Sequence, residues 1–190
     1  SAIATYLDTQ CAKIDEIIAQ AQASIEDYKQ WKASIIYEAV TKGLDPNVEM
    51  KDSGIEWIGK IPVHWAISRI KNIATNLDYL REPISAENRE NKLGLYDYYG
   101  ASGVIDKIDD YNVDDTALLI GEDGANLRMR NLPLVYRASG KFWVNNHAHI
   151  LKVKPGCSYG YVAYLLEAGD YNVYLSLIHI SEPTRLRRIS

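Results

Sequence analysis

Residues 2–42 read AIATYLDTQCAKIDEIIAQAQASIEDYKQWKASIIYEAVTK. Apolar side chains recur there at every seventh residue, in two series offset by four, which is typical of a coiled-coil helix. The two series give ten positions over five heptads, and only Lys32 breaks the apolar seam that they form. We predict that this seam meets a partner helix through Leu7, Cys11, Ile14, Ile18, Ala21, Ile25, Tyr28 and Ile35.

The helix is predicted to end at Gly43, a favourable residue after a helix, and Pro46 prevents its continuation. At 1.5 Å per residue it is roughly 60 Å long. No second helical pattern of comparable length follows it, so we expect the partner helix in another chain or in sequence beyond this one. The alternative to a partner helix is that the helix packs along the globular part of its own chain.

The sequence after the helix predicts an α+β fold, with one long coiled-coil-type helix followed by a mixed, β-rich domain with long loops. We assign residues 1–43 to the helix, 44–65 to a linker with two tryptophans, and 66–174 to the domain. Within the domain, the apolar pattern predicts the strands 66–70, 117–120, 134–136, 142–144 and 147–153, a turn at 139–140 and a helix at 159–167.

Residues 175–190 read LSLIHISEPTRLRRIS and match no domain pattern. They resemble the reading-frame translation of a transposon-end sequencing adapter, so we expect them to be non-native. The alternative is a genuine basic tail that touches phosphate. Because the chain opens at Ser1 and inside a helical pattern, we expect it to be a fragment of a longer protein.

The charge balance limits the function. The chain carries 21 basic and 25 acidic side chains, a formal net charge of −4, which disfavours a non-specific nucleic-acid binder. Cys11 and Cys157 lack metal-type spacing and are expected to be free thiols in a reducing compartment. Without a signal-peptide pattern or an apolar run near ~20 residues, the sequence predicts a cytoplasmic protein with no membrane partner.

Three ordered groups of motifs carry a resemblance to a known family. They are ASIIYEAVTKG at 33–43, preceded by Tyr6-Leu7-Asp8 and Lys13-Ile14-Asp15; KDSGIEWIGKIPVHW at 51–65; and YGASGVI at 99–105, LIGEDGAN at 119–126 and GKFWVNNHAH at 140–149. Together they resemble the specificity subunit of type I restriction–modification enzymes over about residues 1–174.

In that family, two target-recognition domains each read half of a split DNA target, and long antiparallel helices join them and dock methyltransferase subunits. The resemblance therefore implies that 1–42 is the central conserved helix and 51–174 most of the second recognition domain. It implies double-stranded DNA, methyltransferase subunits and, through them, restriction subunits as partners. No cofactor is expected in this chain, since S-adenosylmethionine, ATP and Mg would belong to the partner subunits.

Several side chains of the domain have the chemistry to contact DNA. Arginine binds guanine and asparagine binds adenine with two hydrogen bonds, whereas lysine mostly meets phosphate. Glycine turns at 100–103 and 121–124 allow close approach of backbone to DNA, although the second also fits an ordinary strand connection. The candidates are Tyr99, Ser102, Asn126, Arg128, Arg130, Arg137 and Lys141; the alternative for each is an ordinary exposed polar residue.

No catalytic site is predicted. The sequence lacks a methyltransferase pattern for the flipped base and a cofactor loop. His147 and His149 share one side of a strand and could begin a metal site, but packed histidines are the simpler reading. The carboxylates between 106 and 115 surround Lys107, a pattern that a metal nuclease shares with ordinary solvated loops.

Two further functions fit the sequence. One is a coiled-coil scaffold whose globular domain binds protein, which the acidic balance favours. The other is the recognition region of a larger fused restriction–methylation enzyme.

Overall fold

A computed structural model describes residues 1–122, 126, 127 and 132–171. The predicted tail at 175–190 lies outside these residues. In the described part the helices are α1 (Ala2–Lys42), α2 (Ile70–Ile73), α3 (Ala86–Glu90) and α4 (Tyr159–Ala168), with a 3₁₀ turn at Asp78–Leu80. The strands are β1 (Met50–Asp52), β2 (Lys60–Pro62), β3 (Ala74–Asn76), β4 (Leu93–Gly100), β5 (Gly103–Ile108), β6 (Val113–Gly121), β7 (Val135–Val144) and β8 (Ala148–Val153). The predicted α+β class is confirmed.

The long helix α1 projects from the domain. Ser1 caps its start by accepting a hydrogen bond from the Ala4 amide, and Gly43 ends it with φ at 78°. Every side chain from residue 1 to 35 except Gln10 is exposed, whereas Val40 and Thr41 in the last turn are buried. The alternative in which the helix packs along the globular part is therefore wrong. Among the described helices, none combines the length and the apolar composition that a membrane span requires.

Six strands form one sheet in the order β3-β8-β6-β7-β4-β5. Neighbouring strands are antiparallel except β4 and β7, which run parallel through Tyr98 and Trp143. The linker forms a separate two-stranded hairpin in which Met50 pairs with Pro62. The predicted turn at 139–140 is wrong, because β7 runs unbroken from Val135 to Val144 and pairs with β6 on both sides of Gly140.

Apolar side chains form separate cores on the two faces of the sheet. One core contains Leu119, Phe142 and Ile150, with Leu77 and Leu80 packed against it. The other is covered by α4, whose buried residues are Val162 and Leu166. The predicted helix at 159–167 is thereby confirmed, whereas 66–70, predicted as a strand, forms none.

The sheet curves strongly around the first core. β7 lies between β6 and β4, yet the end of β6 touches the turn that follows β4. A Cβ added to Gly121 would lie 2.0 Å from the carbonyl oxygen of Ala101. Gly103 is just as restricted, because it has φ at 93° and the ring of Tyr136 packs on it. Small residues are therefore required where these two strand ends meet.

Replacing Gly121 with alanine should destabilise the domain. The added methyl group would collide with backbone that cannot move independently, so we expect the free energy of unfolding to fall by about 3 kcal/mol. Gly160→Ala is the matched control, since its Cβ would meet only the Ser158 hydroxyl at 3.8 Å inside a helix. That variant should unfold at the same urea concentration or slightly above it. Equal losses in the two variants would contradict the contact at Gly121.

Candidate nucleic-acid interface

Three chain connections meet at one end of the curved sheet. The Glu122 amide donates a hydrogen bond to the His147 carbonyl over 2.9 Å, which joins the end of β6 to the β7–β8 turn. The Asn145 amide donates to the Tyr99 carbonyl over 3.1 Å, which joins that turn to the end of β4. We call this surface, made of residues 101–102, 121–122 and 145–147, the loop end of the sheet. It includes Ser102 and Gly121, which are described parts of the two glycine-containing turns that the sequence predicted.

A polar network borders the loop end. The guanidinium of Arg81 lies 2.6 Å from Glu122 Oε1 and 3.5 Å from Asp78 Oδ2. The ring of His149 lies between the same carboxylates, with Nδ1 2.6 Å from Asp78 and Nε2 3.1 Å from Glu122. We call these four residues the Asp78 network. It connects the 3₁₀ turn, the end of β6 and strand β8, which are far apart in sequence.

Asp78 is the most enclosed member of the network. Burial raises the pKa of its carboxyl, but hydrogen bonds from the Ile150 amide, the Asn76 side chain and the His149 ring outweigh burial, so the net pKa is lowered. Because the pKa is lowered in the folded state, the ionised carboxylate stabilises the fold at every pH above its unfolded-state pKa of about 3.9. That stabilisation is lost as the pH falls through the folded pKa.

Two of the predicted DNA-contacting residues lie at the β4–β5 turn. Ser102 is exposed at the turn itself. Tyr99 instead packs its ring edge-on against Phe142, with the centroids 5.7 Å apart. Burial raises the pKa of the Tyr99 phenol, as does Asp97, while Lys107 opposes the shift. Ser102 is thus accessible to a ligand, and Tyr99 mainly supports the turn from beneath.

Asn126 has a structural role that the sequence did not reveal. Its side chain is buried, and its amide group donates to the Leu132 and Pro133 carbonyls over 3.1 and 3.4 Å. The Leu132 amide donates back to Asn126 Oδ1 over 2.9 Å. These bonds bring residue 126 close to residues 132 and 133 in the β6–β7 connection. The side chain is therefore occupied within the chain and is not presented to a base.

The remaining predicted residues are four cations. Arg128 and Arg130 lie outside the described residues. Arg137 and Lys141 are exposed on β7, and each lies over an aromatic ring, Arg137 over Tyr159 at 5.5 Å and Lys141 over Tyr111 at 4.3 Å. Their positions four residues apart in a strand place them about 13 Å from each other. The structure thus spreads these two cations along β7 and does not gather them at the loop end.

The Asp78 network was not predicted from the sequence. Nothing in the sequence marks Arg81 or Asp78, and the pairing of His149 with carboxylates could not be deduced from its spacing to His147. His147 precedes β8 in an exposed turn, while His149 joins the Asp78 network. No group of three or more potential metal ligands with suitable geometry occurs among the described residues.

Two carboxylates of the acidic run pair with cations. Asp106 lies 3.1 Å from Arg89, and Asp115 contacts Lys152. Hydrogen bonds from the Lys107 amide and Arg89 lower the pKa of Asp106, and those from Lys152 and the Thr116 amide lower that of Asp115. Both carboxylates are thus paired with cations on the sheet surface, where such pairs contribute little to stability.

The predicted seam of α1 is exposed along its length. Its six large apolar residues have between 48% and 65% of their surface accessible, and Cys11 and Ala21 are exposed as well. Ile3, Ile17 and Trp31, which the heptad pattern did not include, are exposed beside the seam and widen it. Near the domain, Tyr28, Trp31 and Ile35 line an apolar groove of about 530 Å³ with Tyr164 of α4.

Comparison with known proteins gives one informative similarity. The chain is 33% identical over 93 residues to a Haemophilus influenzae protein named "Putative type I restriction enzyme specificity subunit S.HindORF215P". The match covers 48% of this chain and 22% of that protein, so the chain spans about a fifth of its relative. No protein-family model matches the chain. The similarity confirms the predicted resemblance to type I specificity subunits.

Replacing Asp78 with asparagine should weaken the fold near neutral pH. The variant loses a charged acceptor of several hydrogen bonds, so we expect the free energy of unfolding to fall by about 2 kcal/mol at pH 7. Because the wild-type carboxylate also loses its charge in acid, the difference should shrink as the pH falls below ~4. Urea unfolding at both pH values measures this.

Asp97→Asn provides the control for that experiment. Asp97 pairs with Lys107 over 2.7 Å, but the two side chains are 38% and 61% exposed. An exposed pair contributes at most about 0.5–1 kcal/mol. If Asp78→Asn cost no more than this control, the Asp78 network would not stabilise the domain.

Proposed function

We propose that this chain, which is similar to a type I restriction enzyme specificity subunit, is part of a non-catalytic DNA-recognition subunit. In this proposal its domain reads one half of a split, double-stranded DNA target. Its helix docks methyltransferase subunits, and restriction subunits join through them. The observation that carries the proposal is an exposed apolar helix seam attached to a β-rich domain in a chain with this similarity.

The exposed seam supports a helical partner. A helix that leaves large apolar residues such as Ile14, Ile18 and Ile25 about half exposed gains stability when a second apolar stripe covers them. The seven-residue spacing selects a second helix as that cover, since seam residues fit between those of a facing helix at this repeat. The groove beside Trp31 could receive a large side chain of the partner.

The loop end supports DNA contact. Ser102 and the neighbouring backbone turns can approach a duplex closely, and Arg128 and Arg130 belong to the β6–β7 connection that begins there. We propose that these two arginines contact base edges, while Arg137 and Lys141 meet phosphates. Asn126 supports the connection through its hydrogen bonds, and Tyr99 supports the β4–β5 turn. With a net charge of −4, binding must rely on such local cations.

Catalysis is assigned to the partners. We propose that S-adenosylmethionine, ATP and Mg are bound by the methyltransferase and restriction subunits, and that the complex acts in the cytoplasm. The recognition region of a larger fused restriction–methylation enzyme would use the same surfaces. Methyltransferase motifs upstream in the same reading frame would identify that arrangement.

A protein-binding scaffold is the second candidate, and one observation favours it. The edge formed by β4 and β5 exposes apolar side chains, with Leu93 72% and Leu95 87% accessible. Exposed apolar surface on a sheet edge suits a protein partner better than DNA. Competition between duplex DNA and the protein partner for the domain would separate the two functions.

The arginine assignment can be tested in a full-length protein containing this chain, assembled with cognate methyltransferase subunits. Replacing both Arg128 and Arg130 with alanine should weaken binding to the target duplex by at least about 30-fold and relax its choice of sequence, since each of the two base contacts contributes about 1–3 kcal/mol. Arg69→Ala, at an exposed arginine beside α2, should change neither. Titration against duplexes with a randomised half-site measures both quantities.

The outcomes of that titration separate the two parts of the proposal. Unchanged affinity and sequence choice in the double variant would refute the site assignment alone. Binding by the wild-type assembly without any sequence preference would refute the recognition function.

The seam can be tested by placing a charge in it. Ile18→Asp should abolish or weaken assembly with the partner subunits at least tenfold, because the carboxylate would be buried against apolar side chains. Ala23→Asp, on the opposite side of the same helix, should assemble normally. Size-exclusion chromatography with light scattering measures assembly, and equal behaviour of the two variants would show that the seam is not the docking face.

A further inference from the structure

The junction between α1 and the domain is built from three separate chain segments. They are the last two turns of α1, the linker hairpin of β1 and β2, and the start of α4. Val40 and Thr41 are buried at this junction, as are Ile61 and Pro62 from the hairpin. Within the described residues, the helix is anchored at this end alone.

Tyr37 joins α1 to the linker hairpin. Its hydroxyl donates to the Trp57 carbonyl over 2.8 Å and lies 3.2 Å from the Ile58 carbonyl. Both acceptors are backbone groups between β1 and β2. One turn further along, the Thr41 hydroxyl donates to the Tyr37 carbonyl over 2.6 Å. The hydrogen bond of the Tyr37 hydroxyl therefore holds this face of α1 against the hairpin.

Tyr161 joins α4 to the end of α1. Its hydroxyl donates to the Val40 carbonyl over 3.0 Å. Val40 belongs to the last turn, whose carbonyls have no amide partner further along the helix, so this bond caps α1 from another element. The Tyr161 ring also meets Trp65 edge-on, with the centroids 6.2 Å apart, and Trp65 in turn packs on Gly43.

Because α1 is long, a small rotation at this junction displaces its far end by a large distance. In a protein that reads two separated DNA sites, that displacement changes the distance between the sites. At the far end of α1, roughly 60 Å away, a rotation of about 10° gives a displacement of about 10 Å. That displacement equals about three base-pair steps of 3.4 Å. Discrimination of a single base pair thus requires the angle to be held within a few degrees.

We propose that Tyr37 and Tyr161 are positioning residues that fix the angle between α1 and the domain, and thereby the number of base pairs allowed between the two halves of the DNA target. The inference rests on the proposed function. Both hydroxyls bond to backbone carbonyls of other elements, so phenylalanine keeps the packing at each position and removes the bond that defines the angle.

The angle can be measured without DNA. Spin labels on Cys11 in α1 and on a Glu90→Cys variant report the helix-to-domain distance in the complete chain, with Cys157→Ser removing the other thiol. The parent should give one narrow distance distribution. Combining Tyr37→Phe with Tyr161→Phe should at least double its width, and each single variant should widen it less. Tyr79→Phe, at an exposed tyrosine of the 3₁₀ turn away from the junction, is the control and should leave it unchanged.

Target spacing gives the second readout, in the full-length protein assembled with its methyltransferase subunits. The wild type should prefer one distance between the half-sites, whereas the double variant should accept distances one or more base pairs longer or shorter and still recognise the same half-site sequences. A purely structural defect would lower binding to every spacing alike.

Each result bears on a defined part of the inference. A broad distance distribution in the parent, or an unchanged one in the double variant, would overturn the fixed angle. Unchanged spacing preference in the double variant would overturn its role in target choice. A wild-type assembly without sequence preference would refute the proposed function, while the distance measurement would still decide whether the two tyrosines hold the junction.

Discussion

The last two turns of α1 provide the burial that anchors this helix in the described part of the chain. In the rest of α1, which is almost entirely exposed, the helical conformation depends mainly on backbone hydrogen bonds and on the helix propensity of the residues. The segment is well suited to that, since alanine, the strongest helix former, is its commonest residue and neither glycine nor proline occurs between residues 2 and 42. Most of its exposed apolar stripe nevertheless extends beyond the domain, with Tyr28, Trp31 and Ile35 lining the groove beside Tyr164. The direction set at the junction therefore determines where a partner helix meets the chain.

The loop end combines close backbone packing with a network of hydrogen-bonded polar side chains. Gly121 and Gly103 let β6 and β7 approach the β4–β5 turn, and this approach curves the sheet around its apolar core. Next to this surface, the side chains of the Asp78 network join the 3₁₀ turn, the end of β6 and strand β8, which are distant in sequence. Arg81 pairs with the carboxylates of both Asp78 and Glu122, and the ring of His149 lies between the same two acids, so their oxygens have partners within the domain.

Structural features determined by one short segment could be predicted from the sequence, whereas features that join distant segments could not. The helix at 2–42 was predictable because its seven-residue repeat and its glycine stop are contained in one segment. The turn at 139–140 was predicted wrongly because Ser139 and Gly140 are turn formers, yet pairing of both residues with β6 overrides that local preference. The role of Asn126 and the Asp78 network could not be predicted, since each depends on segments that only the folded sheet brings together.

The exposed seam links folding of the helix to assembly. A partner that covers the seam binds only the helical form of α1, so its binding free energy adds to the stability of the helix. Forming the first helical turn is the unfavourable step, and the anchored last turns already supply it, so the helix can extend from the junction toward Ser1. The capping bond from Tyr161 and the packing of Val40 therefore act on partner binding at a distance. They stabilise the turn from which the rest of the docking surface grows, although neither side chain belongs to the seam.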